Sequence, residues 1–156
     1  MLEIAIPSRG VLHLEHLVLD VNGTIAQDGQ LIVGVKERLD KLSELLDIWL
    51  VSADTQGTLA SLAASLKAQA RRLQPGDEAA QKAALVAELG AGRVVAIGNG
   101  ANDVAMLRSA ALGIAILGGE GLALDCLNAA DVLAPSIEGA LDLLLRPRRL
   151  IATLRT

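Results

Sequence analysis

Aromatic side chains are almost missing from this sequence: Trp49 is the single aromatic residue, and Phe and Tyr do not occur. Recognition by base stacking or by an aromatic sugar platform is therefore not expected. Cysteine is equally scarce, since Cys126 is the single one and has no partner for an internal disulfide. A chain without disulfides fits a reducing compartment, so we expect a cytoplasmic protein.

The chain also lacks an excess of positive charge and a membrane-spanning apolar run. Its formal net charge is -4, which argues against nucleic acid as a partner. Apolar residues make up 52% of the chain, yet no run approaches the ~18 to 20 residues needed to cross a bilayer. No cluster of Lys or Arg precedes an apolar segment near the N-terminus, so no signal peptide is expected. We therefore expect no nucleic-acid partner and no membrane partner.

What the sequence does contain is a regular alternation of strand and helix patterns. Short branched apolar runs, such as HLVLD (16–20) and RVVAIG (93–98), are typical of strands buried on both faces. Segments with helical periodicity lie between them, and one of these (75–90) begins with Pro and acids and ends at Gly. The alternation predicts an α/β fold, a three-layer sandwich with a parallel central sheet and helices on both faces.

The chain length of 156 residues suits one domain with a single core. Within it we expect an N-terminal hairpin (1–15), a short flap (20–35) and a C-terminal helical segment (136–156) that Pro147 kinks or divides. Two further helices are predicted for 55–66, with Asp54 or Thr55 as N-cap, and for 119–130.

Polar side chains follow the ends of the predicted central strands. Asp20 ends the first of these strands and Ser52 ends the next, while Asn99, Asn102 and Asp103 follow the strand VVAIG. In open parallel sheets, ligands lie beyond the carboxyl ends of the strands. We therefore expect these side chains to converge on one crevice.

Such a set, together with Lys82 in the preceding helix, suits phosphoryl transfer. A carboxylate attacks phosphorus to form an aspartyl phosphate, and a lysine and backbone amides hold the phosphate oxygens. A magnesium ion held by a few carboxylates and the phosphate itself spreads the charge. Each residue alone has an ordinary structural explanation, because acids after strands often cap helices and Asn-Gly is a common turn dipeptide. Their order and spacing favour the functional interpretation.

The segments DVNGT (20–24), VSAD (51–54) and GNGAND (98–103), together with Lys82, resemble the four ordered motifs of the haloacid dehalogenase superfamily. The similarity is greatest to its phosphatases and to the phosphorylation domain of P-type ATPases, and it covers about residues 16–135. The resemblance implies a magnesium-dependent phosphatase that works through an aspartyl phosphate.

The resemblance also implies a role for each matching residue. Asp20 aligns with the nucleophile that becomes phosphorylated, Ser52 with the phosphate-binding hydroxyl, and Lys82 with the lysine that neutralises both. Thr24 belongs to the first motif and helps to position it. The remaining implied contacts are Gly23 and Ala53 to the phosphate, and Asp20, Asn22, Asn99 and Asp103 to Mg²⁺ with support from Asn102.

Two positions depart from the family pattern. Phosphatases of the family usually carry Asp where this chain has Asn22, and an acid that usually ligates magnesium is replaced by Asn99. An amide ligates a metal through its oxygen but is no general acid or base near neutral pH, and general acid–base catalysis contributes ~10²- to 10⁴-fold. We therefore expect slow turnover, a persistent phosphoenzyme and weakened magnesium affinity. An alternative is that Asn22 deamidates to an acid, because a following glycine favours that reaction.

Relatives commonly insert a cap domain near the first three motifs. Here Asp20 and Ser52 are 32 positions apart, and Ser52 and Lys82 are 30 apart, so the elements of the core fill both intervals. We expect no cap domain. A phosphorylated substrate large enough to cover the site, or a neighbouring copy in a homo-oligomer, would then exclude water.

Two other functions compete with catalysis. Asn22 and Asn99 favour a degenerate relative that binds phosphate, or a phosphorylated partner, as a regulatory module without useful turnover. A phosphoacceptor domain of receiver type also combines Asp, Ser or Thr, and Lys at strand ends. Its acceptor follows a later strand, whereas Asp20 ends the first central strand, which disfavours this reading.

Overall fold

The computed structural model describes residues 1–54 and 57–156. Within these residues the chain forms ten β-strands and seven α-helices. The strands are β1 (Leu2–Ile6), β2 (Gly10–Leu14), β3 (His16–Asp20), β4 (Ala26–Gln27), β5 (Gln30–Leu31), β6 (Asp47–Ser52), β7 (Gln69–Arg72), β8 (Val94–Gly98), β9 (Leu112–Ile116) and β10 (Val132–Ala134). The helices are α1 (Val35–Leu42), α2 (Leu59–Ser65), α3 (Glu78–Glu88), α4 (Val104–Ser109), α5 (Leu124–Ala129), α6 (Ile137–Leu145) and α7 (Pro147–Leu154).

Six strands form one parallel sheet in the order β10-β9-β8-β3-β6-β7. Side chains of α1, α2, α6 and α7 pack in the apolar layer on one side of this sheet. Side chains of α3, α4 and α5 pack in the layer on the other side. The predicted α/β fold with a parallel central sheet and helices on both faces is confirmed.

Strand β3 lies where the direction of sheet building reverses. The chain first adds β6 and β7 on one side of β3, and then crosses to add β8, β9 and β10 on the other. The crossover connections of such a reversal leave a crevice beyond the carboxyl ends of the central strands. The last residue of β3 is Asp20, which therefore lies beside that crevice.

The pleat of β3 decides which side of the sheet Asp20 faces. Leu17 and Leu19 join the apolar layer of α1 and α6, whereas Val18 joins the layer of α3 and α4. Because side chains alternate between the faces of a strand, Asp20 follows Val18 toward α3. That helix carries Lys82.

Two small hairpins lie outside the central sheet. Strands β1 and β2 pair antiparallel within residues 1–15, and the buried side chains of Ile4 and Leu14 pack into the main core. Strands β4 and β5 pair antiparallel within the predicted flap. No helix in the described part of the chain is long and apolar enough to cross a membrane.

The helix predicted for 119–130 is wrong in its first part. Helix α5 begins only at Leu124, and the preceding residues form a turn closed by a bridge between Gly118 and Gly121. Gly121 has φ +84°, a left-handed conformation that interrupts a right-handed helix. We call residues 117–123 the β9–α5 loop.

The predicted start of α2 and the predicted division of the C-terminal helical segment have different outcomes. Thr55 lies outside the described residues, so its capping role stays a prediction. The N-cap of α2 is Thr58 rather than Asp54. The side chain of Asp54 still holds the start of α2, because it accepts the backbone N–H groups of Thr58 and Leu59, both at 3.0 Å. Pro147 divides the C-terminal helical segment as predicted, because it is the first residue of α7.

Candidate active site

A cavity of about 700 Å³ opens at the carboxyl ends of β3, β6 and β8. It brings together most of the residues that the motifs indicate, and adds two carboxylates that they do not. The predicted residues that line it are Asp20, Asn22, Ser52, Ala53, Lys82, Asn99 and Asn102, and the added carboxylates are Glu78 and Glu120.

One buried lysine joins the first and last motifs. Lys82 Nζ lies 2.6 Å from Asp20 Oδ1 and 2.7 Å from Asp103 Oδ1, with only 1% of its side chain exposed. Burial disfavours the ammonium, but the two carboxylates outweigh burial and raise the pKa of Lys82. The lysine is therefore a fixed positive charge beside the predicted nucleophile.

Asp20 remains poorly neutralised in this arrangement. Burial, and then the neighbouring charge of Asp103, raise its pKa from 3.8 to about 6, although Lys82 and Thr24 act in the opposite direction. A single ammonium shared by two carboxylates in a desolvated site cannot offset both charges. At pH 7 most Asp20 is nevertheless ionised, as a nucleophile must be.

Asp103 is held behind the cavity rather than in it. Its Oδ2 accepts the backbone N–H groups of Asn99 and Gly100, both at 3.0 Å, and its Oδ1 accepts from Lys82. Gly98 makes this position available, since a Cβ there would lie 2.5 Å from the carboxyl carbon of Asp103. Asp103 is fully buried and does not line the cavity. The structure thus favours a role in anchoring Lys82 over the predicted direct contact with a metal.

Two oxygens beside Thr24 compete for one proton. Thr24 Oγ1 lies 3.0 Å from Asp20 Oδ2 and 3.2 Å from Asn99 Oδ1. Asn99 Nδ2 donates to the carbonyl of Gly121 at 3.1 Å, which fixes its Oδ1 on the side of Thr24. Because a hydroxyl donates only once, Thr24 serves only one of the two oxygens at a time.

This donor set fits a hard divalent cation. Asp20 and Asn99 offer oxygen ligands that line the cavity, and the site carries more negative charge than Lys82 balances. Among residues 1–54 and 57–156, however, no group of three or more His, Cys, Asp or Glu side chains has the spacing of a metal site. A cation here would therefore depend on amide oxygens, on backbone oxygens such as those near Asn22, and on the phosphate itself.

Gly23 is engaged in the turn that enters the flap. It has φ +79° and its N–H donates to the carbonyl of Ala26 at 2.8 Å. A side chain there would meet both a left-handed backbone and the carboxylate of Glu120. The predicted contact of Gly23 with phosphate is therefore not supported, because its N–H is already used.

Ser52 and Ala53 fit the predicted phosphate-binding position. The Ser52 hydroxyl accepts the backbone N–H of Asp54 at 3.2 Å, so the orientation of its oxygen is fixed while its own proton stays available to donate. Both residues line the cavity opposite Asn99 and Gly100. The side chain of Asn22 is exposed and also lines the cavity.

The motifs do not indicate the two additional carboxylates, and the reason differs between them. Glu78 lies four residues before Lys82 on α3 and therefore shares its face, which the helical periodicity does indicate. Glu120 lies in the β9–α5 loop, for which the local sequence predicts a helix. No local pattern brings Glu120 over Gly23, 97 positions earlier in the chain.

No known protein-family model matches the chain. The uncharacterized protein MJ0073 of Methanocaldococcus jannaschii is 44% identical over 63 residues, which are 40% of this chain and 68% of that protein. The uncharacterized protein MJ0072 of the same organism is 56% identical over 39 residues, which are 25% of this chain and 89% of that protein.

Solved structures with the same fold include phosphatases. The cobalt-bound deoxy-D-mannose-octulosonate 8-phosphate phosphatase of Haemophilus influenzae superposes with a TM-score of 0.73 at 15% identity, over 92% of this chain and 94% of that one. The 3-deoxy-D-manno-octulosonate 8-phosphate phosphatase of Moraxella catarrhalis, in complex with magnesium, phosphate and the sugar acid, gives 0.68 at 18% identity, over 92% and 95%. The "putative HAD superfamily (subfamily III A) hydrolase" of Legionella pneumophila gives 0.66 at 16% identity, over 90% and 87%.

Identities this low establish a shared fold and carry no statement of activity. The two archaeal relatives establish kinship by sequence, although neither has a described activity. The chain therefore belongs to the same family as MJ0073 and MJ0072, and its fold is that of the haloacid dehalogenase superfamily.

Proposed function

We propose that this protein is a magnesium-dependent phosphatase of phosphate monoesters that works through an aspartyl phosphate on Asp20. The observation that carries the proposal is the ion-paired triad of Asp20, Lys82 and Asp103 at the carboxyl end of β3. It places an ionised, buried carboxylate at the wall of a cavity large enough for a phosphate ester. The fold shared with the octulosonate 8-phosphate phosphatases also supports it.

The first step would be attack of an Asp20 carboxylate oxygen on phosphorus. The bond from phosphorus to the ester oxygen breaks, and the departing alkoxide takes a proton from water. Lys82 and the Ser52 hydroxyl would hold phosphate oxygens, since both line the cavity. A divalent cation held by Asp20 and Asn99 would supply charge neutralisation between the carboxylate and the phosphate.

The second step would be attack of water on the acyl phosphate, which releases inorganic phosphate and restores the Asp20 carboxylate. Both steps need a group that moves a proton, and Asn22 is an amide without that capacity. We therefore propose slow turnover and a long-lived phosphoenzyme. A long-lived phosphoenzyme also fits the resemblance of the motifs to the phosphorylation domain of P-type ATPases.

A direct test compares the native protein with Asp20→Asn across phosphorylated metabolites, with and without magnesium. We expect magnesium-dependent phosphate release by the native protein and none by the variant. Asp40→Asn is a matched control, because Asp40 lies on α1, away from the cavity, in surface pairs with Lys36 and Lys67. Equal phosphate release by native protein and Asp20→Asn would refute the proposal.

A second candidate is a phosphate-binding regulatory module, which the amides Asn22 and Asn99 favour. Such a module would bind beryllofluoride with magnesium at Asp20 but would release no phosphate from any ester. Fluorine NMR of bound beryllofluoride beside the activity screen separates the two candidates.

We also propose that the protein forms a homo-oligomer. Leu117, Leu124 and Leu133, which lie in or beside the β9–α5 loop and edge strand β10, are 54%, 75% and 47% exposed. Apolar surface of this kind is typical of interfaces. Sedimentation velocity tests this proposal, and a monomer at every concentration would exclude it.

A further inference from the structure

Two glutamates line the cavity outside the triad of Asp20, Lys82 and Asp103. We propose that Glu78 and Glu120 select phosphate monoesters whose leaving group is uncharged or carries a cationic amine, and reject those whose leaving group carries a carboxylate or a second phosphate. This inference rests on the proposed function, since it names the substrate class of the same site.

Glu78 is held against the cavity by the start of α3. It is the first residue of that helix, one turn before Lys82 on the same face. Asn102 Nδ2 donates to Glu78 Oε2 at 2.9 Å, so the turn after β8 holds the carboxylate in place. No ion pair with Glu78 occurs within residues 1–54 and 57–156, so its full negative charge faces the cavity.

Glu120 is held on the other side by the β9–α5 loop. Its carboxylate lies against Gly23 so closely that a Cβ on that glycine would collide with it. The amide nitrogen of Asn99 lies 3.2 Å from the same point. The described part of the chain provides no cationic partner for Glu120 either, and its side chain is exposed to solvent at the cavity.

The described residues that line the cavity include no cation that would receive a second anionic group. Lys82 is the single basic residue among the described residues that line it, and its ammonium is bound between two aspartates. The two undescribed residues, Thr55 and Gln56, carry no charge. A carboxylate or phosphate on the leaving group would therefore meet Glu78 and Glu120 with nothing to offset the repulsion.

The phosphate that reacts does not share this difficulty. Lys82 lies beside Asp20 at the cavity, and a divalent cation held by Asp20 and Asn99 would add to the positive charge that offsets this phosphate. Glu78 and Glu120 remain uncompensated around the rest of the substrate. A hydroxyl group there can donate to either carboxylate, and an ammonium can pair with one of them.

The size of the effect follows from Coulomb's law. Two unit charges about 6 Å apart at an effective dielectric constant near 20 change an equilibrium by about 100-fold. Because Glu120 is exposed and salt screens exposed charges, we expect about tenfold for each glutamate.

The experiment compares three small esters by kcat/KM in the magnesium-loaded protein. Phosphoethanolamine has a cationic leaving group, glycerol 3-phosphate a neutral one, and 3-phosphoglycerate an anionic one. We expect the native protein to prefer the first two over the third by at least about tenfold, and the preference to shrink as salt is raised. Glu78→Gln and Glu120→Gln should each reduce the preference about tenfold, mainly by lowering KM for 3-phosphoglycerate.

Glu44→Gln is the matched control, because Glu44 is exposed beyond the end of α1 and does not line this cavity. It should leave the preference unchanged. Equal use of all three esters by the native protein would overturn the proposal while leaving the phosphatase itself intact. A uniform loss of turnover for all three esters in Glu78→Gln or Glu120→Gln would also overturn it, because it would place the glutamate in the chemistry.

A binding measurement separates this inference from the proposed function. Asp20→Asn with magnesium should bind the three esters without turnover, and calorimetry reports their affinities. We expect the anionic ester to bind at least about tenfold more weakly than the neutral one. If no ester is hydrolysed by the native protein, this order of affinities still supports or overturns the selection by charge.

Discussion

At the scale of single residues, the chemistry of the site depends on how charge is shared around Lys82. Its one ammonium serves Asp20 and Asp103 at 2.6 Å and 2.7 Å, in a region with almost no solvent. The pKa of Asp20 consequently rises to about 6. Without a bound cation, the folded protein therefore favours the protonated form of the Asp20 carboxyl more strongly than water does.

This raised pKa predicts how Asp20→Asn changes stability with pH. Between about pH 4 and pH 6 native Asp20 binds more protons than the unfolded chain, so its contribution to stability falls as pH rises. The fall amounts to about 3 kcal/mol by pH 7, since each pKa unit is about 1.4 kcal/mol. Urea unfolding without metal should therefore show the free energy of unfolding of Asp20→Asn rising relative to that of the native protein from pH 4 to pH 7. A stability difference that does not change with pH would mean that Asp20 titrates as it does in water.

A second prediction at this scale concerns Asn22. Asn22→Asp places a carboxylate at a position that already lines the cavity, and a general acid–base group contributes ~10²- to 10⁴-fold. We expect phosphatase turnover to rise by at least tenfold and the phosphoenzyme to decay faster, as measured by phosphate release and by quenched-flow labelling. Intact mass of the native protein checks that deamidation has not already converted Asn22. An unchanged turnover would show that the amide does not limit the reaction.

At the scale of secondary structure, α3 carries both the lysine of the site and one of its selecting glutamates. Asp77 caps this helix by accepting the N–H of Ala80 at 3.0 Å. The next two polar positions on the cavity face are Glu78 and Lys82. The first turns of the helix therefore position two charges that act on the substrate.

The cap of α3 can be tested against a cap elsewhere. Asp77→Ala should cost about 1 kcal/mol of stability and lower turnover several-fold, because fraying of the first turn loosens Lys82. Ser136→Ala removes the equivalent cap of α6, where Ser136 accepts the N–H of Gly139 at 3.2 Å. This control should lose similar stability but keep its turnover. Equal effects on turnover would show that the activity follows global stability alone.

The β9–α5 loop shows why one element was not predictable. Its segment GEGLALDC has no proline and resembles the start of a helix, yet α5 begins only at Leu124. The loop is held by distant partners instead, since Asn99 bonds Gly121 and a Cβ on Gly119 would collide with Gln27 of the flap. Tertiary contacts here outweigh local helical preference.

At the scale of the whole molecule, ligand binding should couple to global stability. A cation and a phosphate mimic would neutralise the charges that β3, α3 and the loop after β8 bring together. Magnesium with beryllofluoride at 100 times its dissociation constant should stabilise the native protein by about 2.7 kcal/mol. Thermal unfolding measures the shift, and Asp20→Asn should lose most of it because an uncharged amide replaces the carboxylate that the mimic binds. A shift of equal size in the variant would place the mimic elsewhere.

The class of the fold and most of the residues of the candidate site could be predicted from the order of the chain. The alternation of apolar strands with amphipathic helices requires a parallel sheet, and parallel strands bring their carboxyl ends to one edge. Asp20, Ser52 and Asn99 end or follow such strands, so their convergence could be predicted from chain order alone. Lys82 was predictable from its place in the series of motifs.

Tertiary packing specifies which of the site residues are buried, which are hydrogen-bonded and which face the cavity. It buries Asp103 behind Gly98, uses the N–H of Gly23 within a turn, and brings Glu120 over the first motif. None of these outcomes has a local pattern, because each depends on groups far apart in the chain meeting across a packed interface. Local sequence specifies the elements and their order, whereas the charge and the open hydrogen-bonding groups of the cavity depend on how the elements pack.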